Sequence, residues 1–206
     1  MIPVNRMPGP KTVVIGVGSG MRGDDGFGAA VLAALDDLPR FGGRLRLVRC
    51  DGESARLIDL WDGFDHAIVV DAAHDPTAPP GRLYRRELSL AHWPGRFGPT
   101  PAPEPVGNGH AAGFGTAIRL AEALGRLPDH LTLYAVNGAD FTLGAPLSPA
   151  VAEAVPKLAA RIRRDLLNPR PAPMPERPGA RTRGTARDGT GPRSRPHCGR
   201  RPGTRP

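Results

Sequence analysis

The chain has 206 residues, enough for one domain with a sizeable hydrophobic core. Its net charge of +8 would suit a nucleic-acid binder, but ten arginines against two acidic residues in residues 168–206 account for all of it. Residues 1–167 carry 18 basic and 18 acidic side chains, so this part of the chain is neutral. We therefore expect no nucleic-acid partner for it.

Residues 168–206 also contain nine prolines, six glycines and almost no large apolar side chain. Such a segment cannot bury enough apolar surface to offset the entropy lost on ordering, so we expect it to be a disordered tail. A basic arm for nucleic acid or for an acidic partner is the alternative interpretation. Residues 1–11 are expected to form a flexible leader, which leaves residues 12–167 as the folded domain.

Two features bear on the cellular compartment. The two cysteines, Cys50 and Cys198, are too few for a disulfide framework. The N-terminus has no apolar secretory segment, and the chain has no long apolar run. We expect a cytoplasmic protein with no membrane span.

Strand and helix patterns alternate from residue 12 to residue 167. Short, almost wholly apolar runs are typical of strands that are buried on both faces of a parallel sheet. The predicted strands are 12–17, 45–50, 66–70 and 131–136, and 82–88 is expected to be an edge strand or an extended segment. The predicted helices are 27–38, 54–61, 112–124 and a last helix that Ser148 caps and Pro149 begins. This order predicts an α/β domain, a three-layer sandwich with a twisted, mostly parallel sheet flanked by helices.

The stretch from 13 to 28, VVIGVGSGMRGDDGFG, joins the first strand to the first helix through a glycine-rich turn. One interpretation is a phosphate cradle, with Asp51 after the second strand as the acid of a dinucleotide site. The turn lacks the Lys-Ser/Thr pair of a P-loop, and Asp24 and Asp25 would repel a phosphate. The adjacent acids favour a cation site, and a nucleotide or small-ligand binding module remains the alternative.

Three polar residues are the candidates for that site. Asp25 follows the first strand, Asp71 terminates the third, and His110 begins the helix before the last strand, after a long Pro- and Gly-rich segment. Ligands of open α/β sheets bind outside the carboxyl ends of the strands, and two carboxylates with an imidazole suit Zn²⁺, Ni²⁺ or Mn²⁺. Alternatively, Asp25 caps its helix, His110 is a surface or capping histidine, and His74 competes as a ligand.

These residues lie within a recognisable series of motifs. The string GVGSGMRGDDGFG resembles the N-terminal signature of the hydrogenase maturation endopeptidases, roughly G-[IV]-G-N-x-x-x-x-D-[DE]-G-x-G, with Ser19 in place of the usual Asn. Later motifs follow in register, and Glu53 stands where Gly is common. They are Asp51 with Gly52, VVDAAHD, Pro80 with Gly81, His110 at a helix start, and LGAPLSPAVAEAVPKL. The similarity spans about residues 12 to 167.

The resemblance implies a phosphorylase/hydrolase-like fold and an aspartic-type endopeptidase. Such an enzyme removes the C-terminal extension of a nickel-iron hydrogenase large-subunit precursor after nickel insertion, and thereby activates the hydrogenase. By position, Asp25, Asp71 and His110 match the family's nickel-contacting, catalytic trio. Asp24 is expected to shape the turn or to cap the helix. The nickel would be carried by the substrate, and Zn²⁺ or Cd²⁺ could take its place in a crystal. A monomer is expected.

The chemistry left to such a site is narrow. The sequence offers no convincing Ser or Cys nucleophile in a triad and no His-Glu-x-x-His zinc motif. Attack by water, assisted by metal or by a carboxylate, is what remains.

Overall fold

The structure, a computed structural model, describes residues 10–39, 43–89 and 109–167, and the side chains of residues 89 and 109–113 are outside that description. The predictions made for the leader up to residue 9, for the Pro- and Gly-rich segment before residue 109 and for the tail at 168–206 therefore lie outside the described residues.

The described residues form a βα alternation. The strands are β1 (Thr12–Val17), β2 (Leu45–Cys50), β3 (His66–Ala73), β4 (Leu83–Ser89) and β5 (His130–Asn137). The helices are α1 (Phe27–Ala34), α2 (Ser54–Trp61), α3 (Gly109–Leu124) and α4 (Pro149–Leu167), and a 3-10 turn at Gly23–Gly26 precedes α1. None of the helices in these ranges has both the length and the apolar character needed to cross a bilayer.

The strands form one sheet in the order β2-β1-β3-β5-β4. All neighbours pair in parallel except β4, which runs antiparallel to β5 at the edge. The prediction of a mostly parallel α/β sheet is confirmed, and so is the edge strand. The carboxyl ends of β1, β3 and β5 lie together at one border of the sheet, which we call the carboxyl edge.

Helices cover both faces of the sheet, as the apolar runs predict. Along β1, Val14 belongs to a core with α1 and α4, whereas Val13 and Ile15 belong to a core with α2 and α3. All three side chains are 0% exposed. Full burial of each such side chain contributes about 1.5–3 kcal/mol. Alternation between two cores therefore explains why the strand is continuously apolar.

Several predicted boundaries are wrong. The first helix ends at Ala34 rather than at residue 38, although the turn that follows still buries Leu35 and Leu38. β3 continues to Ala73, because residues 71–73 pair with the last residues of β5. Asp71 therefore lies inside β3 and does not terminate it. α3 begins three residues earlier than predicted, so His110 lies inside its first turn.

Candidate active site

Asp25 is held by its own loop at the carboxyl edge. It lies in the 3-10 turn before α1 and is 4% exposed. Its Oδ2 accepts a hydrogen bond from the backbone N–H of Ser19 at 2.7 Å. The N-cap of α1 is Gly26, without a side-chain capping bond, so Asp25 is not the cap of that helix. The geometry fixes this carboxylate above the turn that follows β1.

Two glycines allow the loop to take this shape. Gly18 has a φ of +108°, and a Cβ at this position would lie 2.2 Å from the carbonyl oxygen of Asp25 and 2.8 Å from its Oδ1. A Cβ on Gly28 would lie 2.6 Å from the carbonyl oxygen of Val17 and 2.8 Å from that of Val70. The start of α1 therefore packs directly against the backbones of β1 and β3, which brings the Asp25 loop onto the ends of both strands.

Asp71 lies at the same edge, one residue past the last β1–β3 pair, Gly16 with Val70. It is 6% exposed, and its Oδ1 accepts a hydrogen bond from the N–H of Ala72 at 2.8 Å. In the pleat of β3 it shares a face with Ala67 and Val69, whose side chains belong to the core under α2 and α3. The side chain of Asp71 is therefore on the α3 face of the sheet.

His110 is the second residue of α3, and its side chain is outside the described residues. α3 leads into β5, whose first residue lies at the border opposite the carboxyl edge. α3 thus runs antiparallel to the parallel strands, with its N-terminal end directed toward the carboxyl edge. Among the described side chains, no three of the His, Cys, Asp and Glu type are grouped so as to hold a metal ion. The predicted trio therefore stays a prediction.

His74, the competing ligand, points elsewhere. Its Nδ1 lies 3.2 Å from the carbonyl oxygen of Gly138, and its ring meets that of Phe141 edge to face at 6.5 Å. Because a carbonyl can only accept, this bond assigns the proton to Nδ1. Phe141 packs against the core under α1 and α4, so His74 lies on the opposite face of the sheet from Asp71. This favours Asp71 over His74 as the ligand.

Asp24, the neighbour of Asp25, has a different task. It is 0% exposed, and its carboxylate accepts four hydrogen bonds of 2.6–3.0 Å from the loop that follows β5. The donors are the N–H groups of Ala139, Asp140 and Ser148 and the hydroxyl of Ser148. Asp24 therefore fastens two loops that are distant in sequence. It was expected to shape its own turn or cap the helix, and its connection to the loop after β5 was not predicted.

Backbone bonds reinforce this connection between residues 18–26 and 138–148, which we call the paired loops. The N–H of Asp24 donates to the carbonyl of Asp140 at 2.7 Å, and that of Gly23 donates to Ala145 at 3.1 Å. The N–H of Gly144 donates to the carbonyl of Met21 at 2.7 Å. The loop that carries Asp25 is therefore held by hydrogen bonds to the loop that follows β5.

Asn137 is a second residue that the sequence analysis did not single out. It is 2% exposed at the end of β5, where its Oδ1 accepts from the N–H of Asp75 at 2.7 Å. Its Nδ2 donates to the carbonyl of Ala78 at 2.7 Å. The hydroxyl and N–H of Thr77 lower the pKa of the Asp75 carboxyl below its ordinary value. The proline-rich segment after β3 is thus organised by one buried amide.

The anion-binding features of the sheet edge are already occupied by the chain's own carboxylates. The N–H of Ser19 donates to Asp25, and the two oxygens of Glu53 accept from the first N–H groups of α2 at 2.8 and 3.0 Å. Asp51, the candidate ribose ligand, is exposed and paired with Arg56. A phosphate in this loop would face the buried Asp25 carboxylate, so the geometry favours the cation interpretation over the nucleotide one.

Among curated proteins, the chain is similar in sequence to the hydrogenase expression/formation protein HupD of Thiocapsa roseopersicina. The two are 28% identical over 147 residues that cover 71% of this chain. The chain spans 63% of that relative's length. No family model matches the chain.

Solved structures share its fold. The hydrogenase maturating endopeptidase HybD from Escherichia coli superposes with a TM-score of 0.57 at 21% identity, over 77% of this chain and 93% of that one. A solution structure of an endopeptidase from Escherichia coli has a TM-score of 0.61 at 20% identity, over the same shares. The nickel-iron hydrogenase maturation protease HycI from Thermococcus kodakarensis has a TM-score of 0.53 at 21% identity, over 78% and 96%. These likenesses confirm the predicted fold.

Proposed function

We infer that this chain, a member of the hydrogenase maturation protease family, is an endopeptidase that removes the C-terminal extension of a nickel-iron hydrogenase large-subunit precursor. One observation carries the proposal. The loop of Asp25 is locked over the ends of β1 and β3, and Asp71 lies buried in β3 at that same edge. Two carboxylates at one edge can receive a cation that a substrate brings with it.

The nickel in this proposal belongs to the substrate. Asp25, Asp71 and His110 would complete the coordination of an ion that the precursor already holds, since carboxylate oxygen and imidazole nitrogen both suit Ni²⁺. The bond from the N–H of Ser19 orients the Asp25 carboxylate before the substrate arrives. A precursor without nickel would lack this contact, so the enzyme would process only finished large subunits.

Docking through the ion would hold the scissile peptide bond beside the two carboxylates. Water then attacks the carbonyl carbon, a carboxylate takes the proton from that water, and the proton passes to the leaving amine as the C–N bond breaks. An ion held between the substrate and Asp25, Asp71 and His110 would supply Lewis-acid polarisation of the carbonyl or of the attacking water. This scheme needs no serine or cysteine nucleophile.

The surroundings proposed for this reaction follow the sequence analysis. We place the processing in the cytoplasm and assign it to a monomer. The precursor is the protein partner, and neither nucleic acid nor a membrane takes part. The neutral charge of residues 1–167 supports the exclusion of nucleic acid for this part of the chain.

Replacing His110 by alanine tests the proposal. We expect His110→Ala to lower the single-turnover rate of precursor trimming by about 100-fold or more, because the imidazole would contact the substrate's ion. Trimming is measured as the loss of the extension's mass from a nickel-loaded precursor. His130→Ala is the matched control, since His130 begins β5 at the other border of the sheet and should trim at the wild-type rate. Trimming by His110→Ala at the rate of His130→Ala would contradict the assignment.

A further inference from the structure

Two apolar side chains stand out on the surface at the carboxyl edge. Met21 and Leu143 are each 70% exposed, more than any other large apolar side chain in the described ranges. The next are Leu124 at 55%, Leu120 at 41% and Leu167 at 38%, all on α3 or α4. Isolated exposed apolar residues are ordinary, so the significance of this pair depends on where it lies and how it is held.

The pair is brought together by the paired loops. Gly144, the residue after Leu143, donates its N–H to the carbonyl of Met21 at 2.7 Å. The turn that carries Leu143 is itself closed, since Thr142 donates its N–H to the Oδ1 of Asp140 at 2.8 Å. Met21 and Leu143 therefore project from two backbones that are bonded to each other.

This arrangement is also stiff. Asp24 accepts its four bonds from the loop of Leu143, while its own residue lies in the loop of Met21. Two apolar side chains that are held in place before a partner arrives lose little backbone entropy when they are covered. Fixed, exposed apolar groups of this kind are typical of recognition surfaces.

The surface is continuous with the candidate active site. Met21 and Asp25 lie in the same loop, four residues apart, and Gly18 and Gly28 fix that loop over the ends of β1 and β3. A polypeptide that binds at Asp25 can therefore also contact the paired loops.

We propose that Met21 and Leu143 form a docking surface for an apolar segment of the substrate polypeptide next to the cleaved bond. The proposal rests on the function inferred above and specifies how the precursor is recognised besides its nickel. A second copy of the chain is a poor occupant, because two side chains cover far less than the roughly 800 Å² per partner that a stable dimer buries. A substrate that must leave after cleavage needs only such a small, weak contact.

The test compares two double variants of the full chain. The first is Met21→Ser with Leu143→Ser, and the matched control is Leu120→Ser with Leu124→Ser, which removes exposed apolar side chains from α3 instead. The probe is a purified, nickel-loaded hydrogenase large-subunit precursor. Its Kd is measured by surface-immobilised binding, and KM and kcat are measured by mass spectrometry of the trimmed product.

We expect the first variant to raise Kd and KM by about tenfold or more and to keep kcat within about twofold, since the lost contact is made equally in the bound state and the transition state. The control should match the wild type in all three. Equal Kd and KM for the wild type and the first variant would overturn the docking surface and leave the peptidase function standing. The docking surface would also be overturned if the first variant differed from the wild type only in its dimerisation, measured by light scattering.

The remaining outcomes separate the two proposals. If the wild type binds the precursor but does not trim it, and the first variant loses binding, the docking surface stands and the peptidase function falls. If the wild type neither binds nor trims the nickel-loaded precursor, both are overturned.

Discussion

Asp25→Asn is expected to lower the rate of precursor trimming by about 1,000-fold while the domain stays folded. In the wild type, the N–H of Ser19 donates to Oδ2 of Asp25 at 2.7 Å. The asparagine amide keeps an oxygen that can accept this bond, so the loop should retain its shape. It loses the negative charge that would contact the substrate's ion and accept the proton of the attacking water. Single-turnover trimming measures the first effect, and urea unfolding should show a change of about 1 kcal/mol or less in the free energy of unfolding.

Asp51→Asn is the control for this variant, because Asp51 is an exposed acid that follows β2 at the same edge of the sheet. Its removal changes the net charge equally and should leave trimming at the wild-type rate. If Asp25→Asn trimmed as fast as Asp51→Asn, the role assigned to Asp25 would be wrong.

Unlike Asp25→Asn, which should leave the free energy of unfolding nearly unchanged, Asp24→Asn should lower it strongly. Four donors converge on the Asp24 carboxylate, which is 0% exposed, and an asparagine would turn its NH₂ group toward some of them. A buried donor left without an acceptor costs about 1–3 kcal/mol, and more when the lost acceptor is charged. We expect the free energy of unfolding to fall by about 3 kcal/mol or more, measured by urea denaturation.

Asp140→Asn serves as the comparison, because the carboxylate of Asp140 is exposed and accepts only from the nearby Thr142 in the described contacts. It should change the free energy of unfolding by about 0.5 kcal/mol or less. Equal losses for Asp24→Asn and Asp140→Asn would show that the buried carboxylate does not fasten the paired loops.

The bounds of β1, β2 and α2 agree with the prediction because each follows from a local pattern. β1 is an apolar run buried on both faces, β2 alternates apolar and basic residues, and α2 buries residues at helical spacing. β3 is longer than predicted because its extension depends on β5, which is far away in sequence and offers pairing partners up to Asn137. The local strand propensity of residues 71–73 carries no information about this distant partner.

The distant partners of Asp24 could not be predicted either. Asp24 and Asp25 are adjacent in sequence, but successive side chains of a 3-10 turn point about 120° apart. Asp24 therefore reaches Ser148, which lies 124 residues away, and Asp25 turns back to Ser19. Ser148, predicted to cap the last helix, directly precedes α4 and accepts the backbone bond of Ala152, and its hydroxyl donates to Asp24. Contacts between residues so far apart in the sequence cannot be predicted from local residue spacing.

In the proposed function, the chain recognises nickel in its substrate and then cuts. The most direct measurement is the mass of the large-subunit precursor after incubation with the wild-type chain, with and without prior nickel loading. We expect only the nickel-loaded precursor to lose the mass of its C-terminal extension. Equal trimming of both forms, or trimming of neither, would overturn the proposed function.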